Sequence, residues 1–501
     1  MKVLLMYKDQ DFDSQQELPW NESSLMQDLE LSTLLRAMAG DDEFIYDVAH
    51  KAVLLGLQND IDTILYRQDV VMDCLKNPTI VRELYDVAVA AIESKKKKRL
   101  GWFGTYPAAI LSSSMALLQN YVDFLIILRD MAEKHGEQFE SEGFTTLFAM
   151  LEREFSDEYL ENIQNLLVDL KFGKGVLVSA ELGAGNAGTN YVLRKANRPI
   201  RNWFEQIFAK GPPAYTVRIA ERDESGARAL SELQDRGIHL AANSLAQSAD
   251  HIQSFFEMFR TELAFYIGAL NLHDRLVLKG EPVAFPVPKP ATERWHSMEG
   301  LYDVCLTLSM AGAVVGNTVD ADARSLVVIT GANQGGKSSF LRSIGLAQLM
   351  MQCGIFVGAQ TFTAGICNGL FTHYKREEDK TLKSGKFDDE LSRMSDIADH
   401  LRINSMLLFN ESFAATNERE GSEIARQIVR ALLERRIKIF FVTHLYDFAH
   451  SLYEKKMSDA IFLHADREPD GRRTFKLAEG APLITSFGED LYEKIFEIQP
   501  R

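Results

Sequence analysis

Cysteine is scarce: four residues in 501, namely Cys74, Cys305, Cys353 and Cys367, widely spaced and without a C-x-x-C pair. That pattern excludes a disulfide framework and a thiolate zinc site, and points to buried thiols in a reducing compartment. Long apolar runs are missing too. No stretch reads as the ~20 consecutive apolar residues that a helical membrane span requires. The start, Met-Lys-Val-Leu-Leu-Met-Tyr-Lys-Asp, is too short an apolar run for a secretory signal. A soluble, cytoplasmic protein without membrane contact is expected. Positive charge is in deficit, with 55 Lys and Arg against 71 Asp and Glu and a formal net charge of −16. A chain so acidic cannot coat nucleic acid with its whole surface, so any such contact requires a local basic patch. What remains is globular, 46% hydrophobic and 25% charged, and too long for one ordinary core, so several domains are expected.

Apolar residues recur at three- and four-residue spacing over 80–92, 108–131 and 156–170, the period of amphipathic helices. The longest helix is expected over 241–278, which contains no proline and one internal glycine, Gly268. Such length suits a lever or strut between domains. Between 171 and 239 the period changes, and 175–181, 189–194 and 214–220 read as strands of a small β-containing insertion. Pro282, Pro286, Pro288 and Pro290 then mark an extended linker over 281–295. The division expected is a leader over 1–45, a helical core and lever over 46–280 with its insertion at 171–239, the linker, and a domain of alternating strands and helices over 296–501. Gly183-Ala-Gly-Asn-Ala-Gly188 fits G-x-G-x-x-G, but a strand-like run follows it instead of a helix. A glycine hairpin loop is therefore expected there, not a dinucleotide site. The run Lys-Lys-Lys-Lys-Arg at 95–99, close to Trp102 and Phe103, suits either a solvated helix end or contact with a phosphate backbone or an acidic partner.

The most informative stretch is Gly331-Ala332-Asn333-Gln334-Gly335-Gly336-Lys337-Ser338, which fits G-x-x-x-x-G-K-[ST]. A β-branched run at 325–330 precedes it, and a helical pattern opens at Ser339. Strand, glycine loop and helix in that order aim backbone N–H groups and a positive helix end at one point, a site for a nucleoside triphosphate. The glycines admit phosphate oxygens close to the backbone. Lys337 would reach the β- and γ-phosphates, and the Ser338 hydroxyl would sit on Mg²⁺. Further on, 405–411 is an apolar strand ending in Asn410 and Glu411. A carboxylate at such a strand end can orient and deprotonate an attacking water. Asn410 stands where an Asp normally polarises the metal shell; its carbonyl can still accept from a metal-bound water but adds no charge. A third strand, over 437–443, ends at His444, which reads either as structural or as a reporter of the γ-phosphate.

The loop and its continuation to Arg342 resemble the nucleotide loop of the MutS family of DNA mismatch-repair ATPases. Residues 352–360, 370–372 and 384–390 resemble that family's sequence ahead of its Walker B strand. Residues 410–421, with Glu411, Thr416 and Gly421 in step, resemble its D-E-x-x-x-x-T-x-x-x-[DE]-G run, and Thr443 with His444 resembles its histidine switch. Upstream, 64–71 is similar to the start of the family's helical core and lever. The resemblance is specific over 330–444 and weaker but collinear over about 60–280. It implies a C-terminal α/β P-loop ABC-type ATPase domain joined to a mainly α-helical core and lever domain with a small β-containing insertion. It implies ATP and Mg²⁺, held by Gly331 through Ser339, with Ser338, Asn410 and Glu411 around the metal and Glu411 and His444 in hydrolysis. It further implies a homodimer, in which Ser384 and Gly385 complete the partner's ATP site, and DNA contacted through its phosphates. Departures are equally specific. The leader holds no Phe-x-Glu mismatch-reading wedge, and Phe255-Phe256-Glu257 falls inside an expected helix, a poor substitute. No helical dimerisation tail or nuclease domain is recognisable, Asn410 replaces an Asp, and the family's glycine-rich stretch after Glu411 is Ser412-Phe-Ala-Ala here. A long heptad coiled coil, which a chromosome-organising ABC ATPase would require, is absent. A short MutS-related ATPase is expected, either an ATP-controlled clamp on DNA or a nucleotide-controlled switch for a protein partner.

Overall fold

The computed structural model describes residues 1–99, 106–172, 176–194, 218–220, 222–376, 385–468 and 472–483, without the side chains of 96–99 and 186. The first part is helical: α1 (Glu22–Asp28), α2 (Leu31–Ala39), α3 (Glu43–Leu55), α4 (Ile61–Lys76), α5 (Pro78–Arg99), α6 (Pro107–His135), α7 (Glu142–Glu154), α8 (Asp157–Asp169), a hairpin β1 (Leu177–Leu182) and β2 (Gly188–Arg194), then α9 (Glu224–Leu278). The remainder alternates: β3 (Val287–Lys289), β4 (His296–Leu301), α10 (Val304–Ser309), β5 (Asn317–Asp320), β6 (Leu326–Thr330), α11 (Lys337–Gln352), β7 (Thr361–Gly365), β8 (Leu370–Tyr374), α12 (Lys386–His400), β9 (Met406–Asn410), α13 (Glu418–Glu434), β10 (Lys438–Val442), α14 (Tyr446–Glu454), β11 (Ala460–Arg467) and β12 (Arg473–Glu479). Contacts divide the chain into two compact units, one made of 1–3, 82–138 and 145–260, the other of 4–81, 139–144 and 261–501.

In the first unit, α6 packs its apolar stripe on α9 and α8. Leu111 meets Ile238 and Ala242, Leu118 meets Ala249 and Leu167, and Tyr121 meets Phe256. Contrary to expectation, among the described residues one helical stretch, 107–138, is long and apolar enough to cross a membrane by length and composition, with mean hydropathy 1.4 and 33% of that window buried. β1 and β2 pair antiparallel around the glycine-rich loop, where Gly183 N–H donates to Ala187 O at 2.8 Å and Gly185 takes φ 66°. The expected strand over 214–220 lies outside the described residues up to 217, and 218–220 is not strand. The basic run reaches the end of α5, but its side chains beyond Lys95, like Trp102 and Phe103, lie outside the described residues.

The longest helix corrects the expected start near 241. α9 begins at Glu224 and runs 55 residues, through part of the expected insertion. Asp223 accepts from the Gly226 N–H at 2.9 Å and caps the start. Gly237 lies where a Cβ would stand 2.4 Å from Val178 Cγ2 of β1, so a residue that weakens the local helical signal is retained as a packing contact. Phe255 and Phe256 are core residues of α9, at 3% and 0% exposure.

The second unit is built on a six-stranded sheet ordered β12-β11-β6-β10-β9-β8, in which only β12 runs antiparallel to its neighbour. β6, β8 and β10 are buried at every residue, as a parallel sheet covered on both faces requires. Phe409 and Phe441 pack with Met394 of α12, Val429 of α13 and Phe448 of α14. Leu408, on the other face, meets α11, where a Cβ on Gly345 would lie 2.9 Å from its Cδ1. A four-stranded sheet ordered β3-β7-β4-β5 accompanies it. Its edge strand corrects the expected linker: 287–289 pairs in parallel with β7, and Gln68 donates to Pro286 O at 3.0 Å. Pro288 suits an edge because it has no N–H to leave unpaired.

From Leu4 onward, the segment expected as a leader is folded into this unit. The backbone N–H groups of Leu5, Met6 and Phe12 donate to the Glu262 carboxylate of α9 at 2.6, 3.2 and 2.7 Å. Arg67 of α4, 1% exposed, donates to Met6 O at 2.8 Å and to Cys353 O at 3.3 Å, and its guanidinium lies 4.5 Å from the Tyr7 ring centroid. The four cysteines are buried free thiols.

Burial pushes the Glu262 carboxyl from an ordinary 4.5 up to about 7, although the N–H donors pull the other way. A folded-state pKa above the unfolded one gives stability that is complete below about 4.5 and lost as pH rises through about 7. Glu262→Gln should therefore remove roughly 3 kcal/mol of pH-dependent unfolding free energy across that window. Urea denaturation at a series of pH values measures it; an unchanged slope would mean the carboxyl does not titrate there.

Candidate functional site

The glycine loop emerges from the C-terminal end of β6. Gly331 takes φ 119°, and a Cβ on it would sit 2.8 Å from Ala465 N of β11; a Cβ on Gly335 would sit 2.8 Å from Ala465 Cβ. Both positions exclude any side chain. Gln334 turns through the left-handed region at φ 60°. Gly336, at φ 88°, begins α11, and no side chain caps that helix, so its first N–H groups face the loop. Asn333, Gln334 and Ser338 are exposed, whereas Lys337 is 4% exposed. The Lys337 ammonium donates to Gly331 O and Ala332 O, both at 2.8 Å. Burial pushes it down to about 8, opposed by the charge of Glu411.

Three strand ends meet here. The Ser338 hydroxyl donates to Asn410 Oδ1 at 3.0 Å, joining the start of α11 to the end of β9. Glu411 follows with φ 54°, its N–H donating to Val442 O at 2.9 Å. His444, just past β10, has Nε2 2.8 Å from Glu411 Oε1. That hydrogen bond, resisted by burial and aided by the charges of His444, Lys375 and Lys337, holds the Glu411 carboxyl below its usual range. Ser338, Asn410 and Glu411 thus present three oxygen-bearing side chains at one place, only one of them charged. Hard oxygen donors of this kind fit Mg²⁺, and the low charge suits an ion that also holds phosphate.

Gly385 lies apart from this cluster. It precedes α12, and among the described residues a Cβ on it would meet only Asp388 Oδ2, at 3.8 Å, so it does not touch the loop. Ser384 lies outside the described residues. Sequence reasoning missed the other wall. Arg473 Nη1 donates to Gln334 Oε1 at 2.6 Å, and Phe475, at φ 58°, flanks Gly336. The Asn317 amide holds that strand, donating to Phe475 O at 3.2 Å and accepting from Leu477 N at 2.8 Å. Between them lies a cavity of about 310 Å³, lined by Val314, Asn317, Gly336, Ser339, Phe340 and Phe475 among others. No local signal marks these residues, because β5 and β12 approach the loop only in the folded chain.

Comparison with known families meets the same two regions. The MutS2 N-terminal domain matches residues 59–278, and MutS domain V matches 327–490, across the loop, Asn410, Glu411 and His444. The chain is a MutS-related protein. Curated relatives include MutS protein homolog 4 of Mus musculus, 27% identical over 34% of this chain and 17% of its own length. DNA mismatch repair protein MutS of Clostridium kluyveri is 29% identical over 31% of the chain and 18% of its own length. That of Synechocystis is 34% identical over 24% and 14%. The MutS-related chain therefore spans under a fifth of each of these relatives.

One residue in the MutS-like run has a clear steric reason. Gly421 of α13 lies against the turn after Glu411, where a Cβ would stand 2.3 Å from Phe413 O. Gly421→Ala must push that carbonyl away, so a loss of about 1–3 kcal/mol in unfolding free energy is expected. Urea denaturation measures this, and a wild-type midpoint would show that the turn yields freely.

Proposed function

We propose that this MutS-related chain binds ATP with Mg²⁺ and hydrolyses it slowly at a P-loop, ABC-type site, acting as an ATP-controlled homodimeric clamp on DNA in a process related to mismatch repair in the cytoplasm. The observation that carries the reading is the convergence of Lys337, Ser338, Asn410, Glu411 and His444 from three strand ends. The helical core and lever over 46–280 and the ATPase domain over 296–501 belong to the same proposal.

Each residue has a role that its surroundings support. The uncapped α11 terminus and the Lys337 ammonium offer donors to phosphate oxygens, the ammonium exchanging two loop carbonyls for them. Ser338, Asn410 and Glu411 would hold Mg²⁺, which when bound offsets charge developing on the transferred phosphoryl group. Glu411, kept ionised and fixed by His444, takes the proton of the attacking water. Because its pKa is held low it is a weak base, and neutral Asn410 adds no charge; both features favour slow turnover. The same reading gives His444, bonded to Glu411, a second role in sensing the γ-phosphate. The 310 Å³ cavity beside Gly336 and Ser339 suits the base. Gly385, clear of its own loop and next to Ser384, is open to complete a second copy's site. MutS family membership supports dimerisation and DNA contact. One observation, the net charge of −16, favours a second reading: a nucleotide-controlled switch for a protein partner.

Lys337→Ala should bind a fluorescent ATP analogue at least ~10-fold more weakly, having lost the loop's charge-assisted donor. Glu411→Gln should bind normally yet release phosphate ~100-fold more slowly or worse, and should sediment as a dimer with ATP. Unchanged affinity in the first variant removes the loop from the site. Wild-type turnover in the second puts the base elsewhere, and a monomer with and without ATP ends the composite-site reading.

Duplex DNA should bind with steep salt dependence and near-indifference to a single mismatch, since phosphate contacts carry no sequence information. Fluorescence anisotropy across a salt series tests this. No binding at low salt favours the protein-partner reading, and a strong preference for a G·T mismatch overturns the phosphate-contact reading.

A further inference from the structure

Behind Glu411, away from the loop, lie three buried polar residues that hydrolysis as derived above does not use. His373 of β8, Ser412 and Glu390 of α12 are 0%, 0% and 4% exposed. His373 Nε2 is 3.0 Å from the backbone O of Glu390. A carbonyl only accepts, so Nε2 carries the ring proton. In the neutral ring, which burial favours, Nδ1 is then bare and accepts from the Ser412 hydroxyl, 2.7 Å away. The same hydroxyl is within 2.6 Å of His373 O, so its proton is shared between two acceptors on one residue. The imidazole also stacks on Phe413, with centroids 5.3 Å apart and planes at 20°.

The backbone these contacts hold is unusual. Glu411 and Phe413 both take left-handed φ, 54° and 63°, a conformation costing roughly 1–3 kcal/mol at each non-glycine residue. Such a turn persists only where its surroundings impose it. Glu411 N–H is fixed to Val442 O at 2.9 Å, and Ser412 is fixed to His373. Burial pushes the Glu390 carboxyl up, opposed chiefly by the charge of Arg393. Its Oε2 has no hydrogen-bond partner among the described residues. Glu390 therefore reaches the turn through the imidazole, by its backbone carbonyl. Glu390 lies on α12, and α12 starts at Lys386, immediately after Gly385.

We propose that His373 and Glu390 are positioning residues through which α12 regulates Glu411. The inference rests on the reading of Glu411 as the base. A displacement of α12 moves Glu390 O; the imidazole follows and shifts Ser412, and the adjoining Glu411 carboxylate turns toward or away from the water it activates. Contact made at Gly385 by a second copy is thereby reported to the catalytic carboxylate behind it. Packing alone does not explain the histidine. A phenylalanine would fill the space and stack on Phe413, but only a group with a donor at one end and an acceptor at the other links α12 to Ser412.

His373→Phe keeps the ring and removes both hydrogen bonds, whereas His373→Gln supplies a donor and an acceptor again. His373→Phe should lower kcat ~10–100-fold, the scale of a misplaced catalytic group. ATP-analogue affinity and the thermal midpoint should stay near wild type, and His373→Gln should recover most of the rate. In a Glu411→Gln background, His373→Phe should cost nothing further, because it acts only through Glu411. Wild-type kcat in His373→Phe, a matching loss of affinity, or a loss that multiplies with Glu411→Gln each overturns the inference. Should His373→Phe fail to fold, Ser412→Ala, which deletes only the bridging hydroxyl, is read by the same criteria. Wild-type turnover in Glu411→Gln alone is a separate result that ends the base reading and this inference with it.

Discussion

The site depends first on where α11 is held. Thirteen of its sixteen residues are buried, so the helix behaves as a core element with the glycine loop at one end. Its other end is fixed by polar bonds in a dry environment. Asn59 donates to Gln352 O at 2.9 Å, and the Gln352 amide donates to Leu57 O and Cys367 O at 3.3 and 3.1 Å while accepting from Cys367 N at 2.9 Å. Arg67 adds its bond to Cys353 O. Each such group would be left unsatisfied in low dielectric if the helix slid, and that penalty is larger than the net gain of a bond formed in water. The loop is therefore referenced to α4 and to the N-terminal segment as firmly as to its own sheet.

Around that fixed point the chemistry is economical in charge. Lys337, Glu411 and Arg473, which donates to Gln334, are charged groups at the loop, and Lys375 is close enough to lower the Glu411 pKa. Ser338 and Asn410 contribute neutral oxygens. In the base role proposed for Glu411, a carboxylate with a depressed pKa is ionised but accepts a proton weakly, so its orientation matters more than its basicity. The strained turn at Glu411 and Phe413 fits that requirement, since its geometry is imposed from His444, Val442 and His373 together.

Much of the site was legible before folding was considered. The apolar runs at 325–330, 405–411 and 437–443 match β6, β9 and β10 to within a residue or so, because a strand buried on both faces needs an unbroken apolar run. The glycine hairpin over 183–188 was legible from the strand-like sequel alone. The failures share a cause. The start of α9, the edge strand β3 and the packed segment 1–45 each depend on a contact distant in sequence: Gly237 with Val178, β3 with β7, and Glu262 with Leu5, Met6 and Phe12. Local period and proline content carry no record of such partners.

By itself, then, the sequence determined the chemistry available: a glycine loop with one lysine and one serine, an amide and a carboxylate at a strand end, and a histidine at another. Those are covalent facts about which groups exist and which neighbours they have along the chain. Tertiary structure alone decided which of them meet. The order β6-β10-β9 brings Ser338 to Asn410 and His444 to Glu411, and β12 returns to set Arg473 and Phe475 against the loop. Helix α12 is packed so that Glu390 O meets His373, whose other ring nitrogen meets Ser412 of the turn. Strand order is a global outcome of core packing, and no local pattern of residues encodes it.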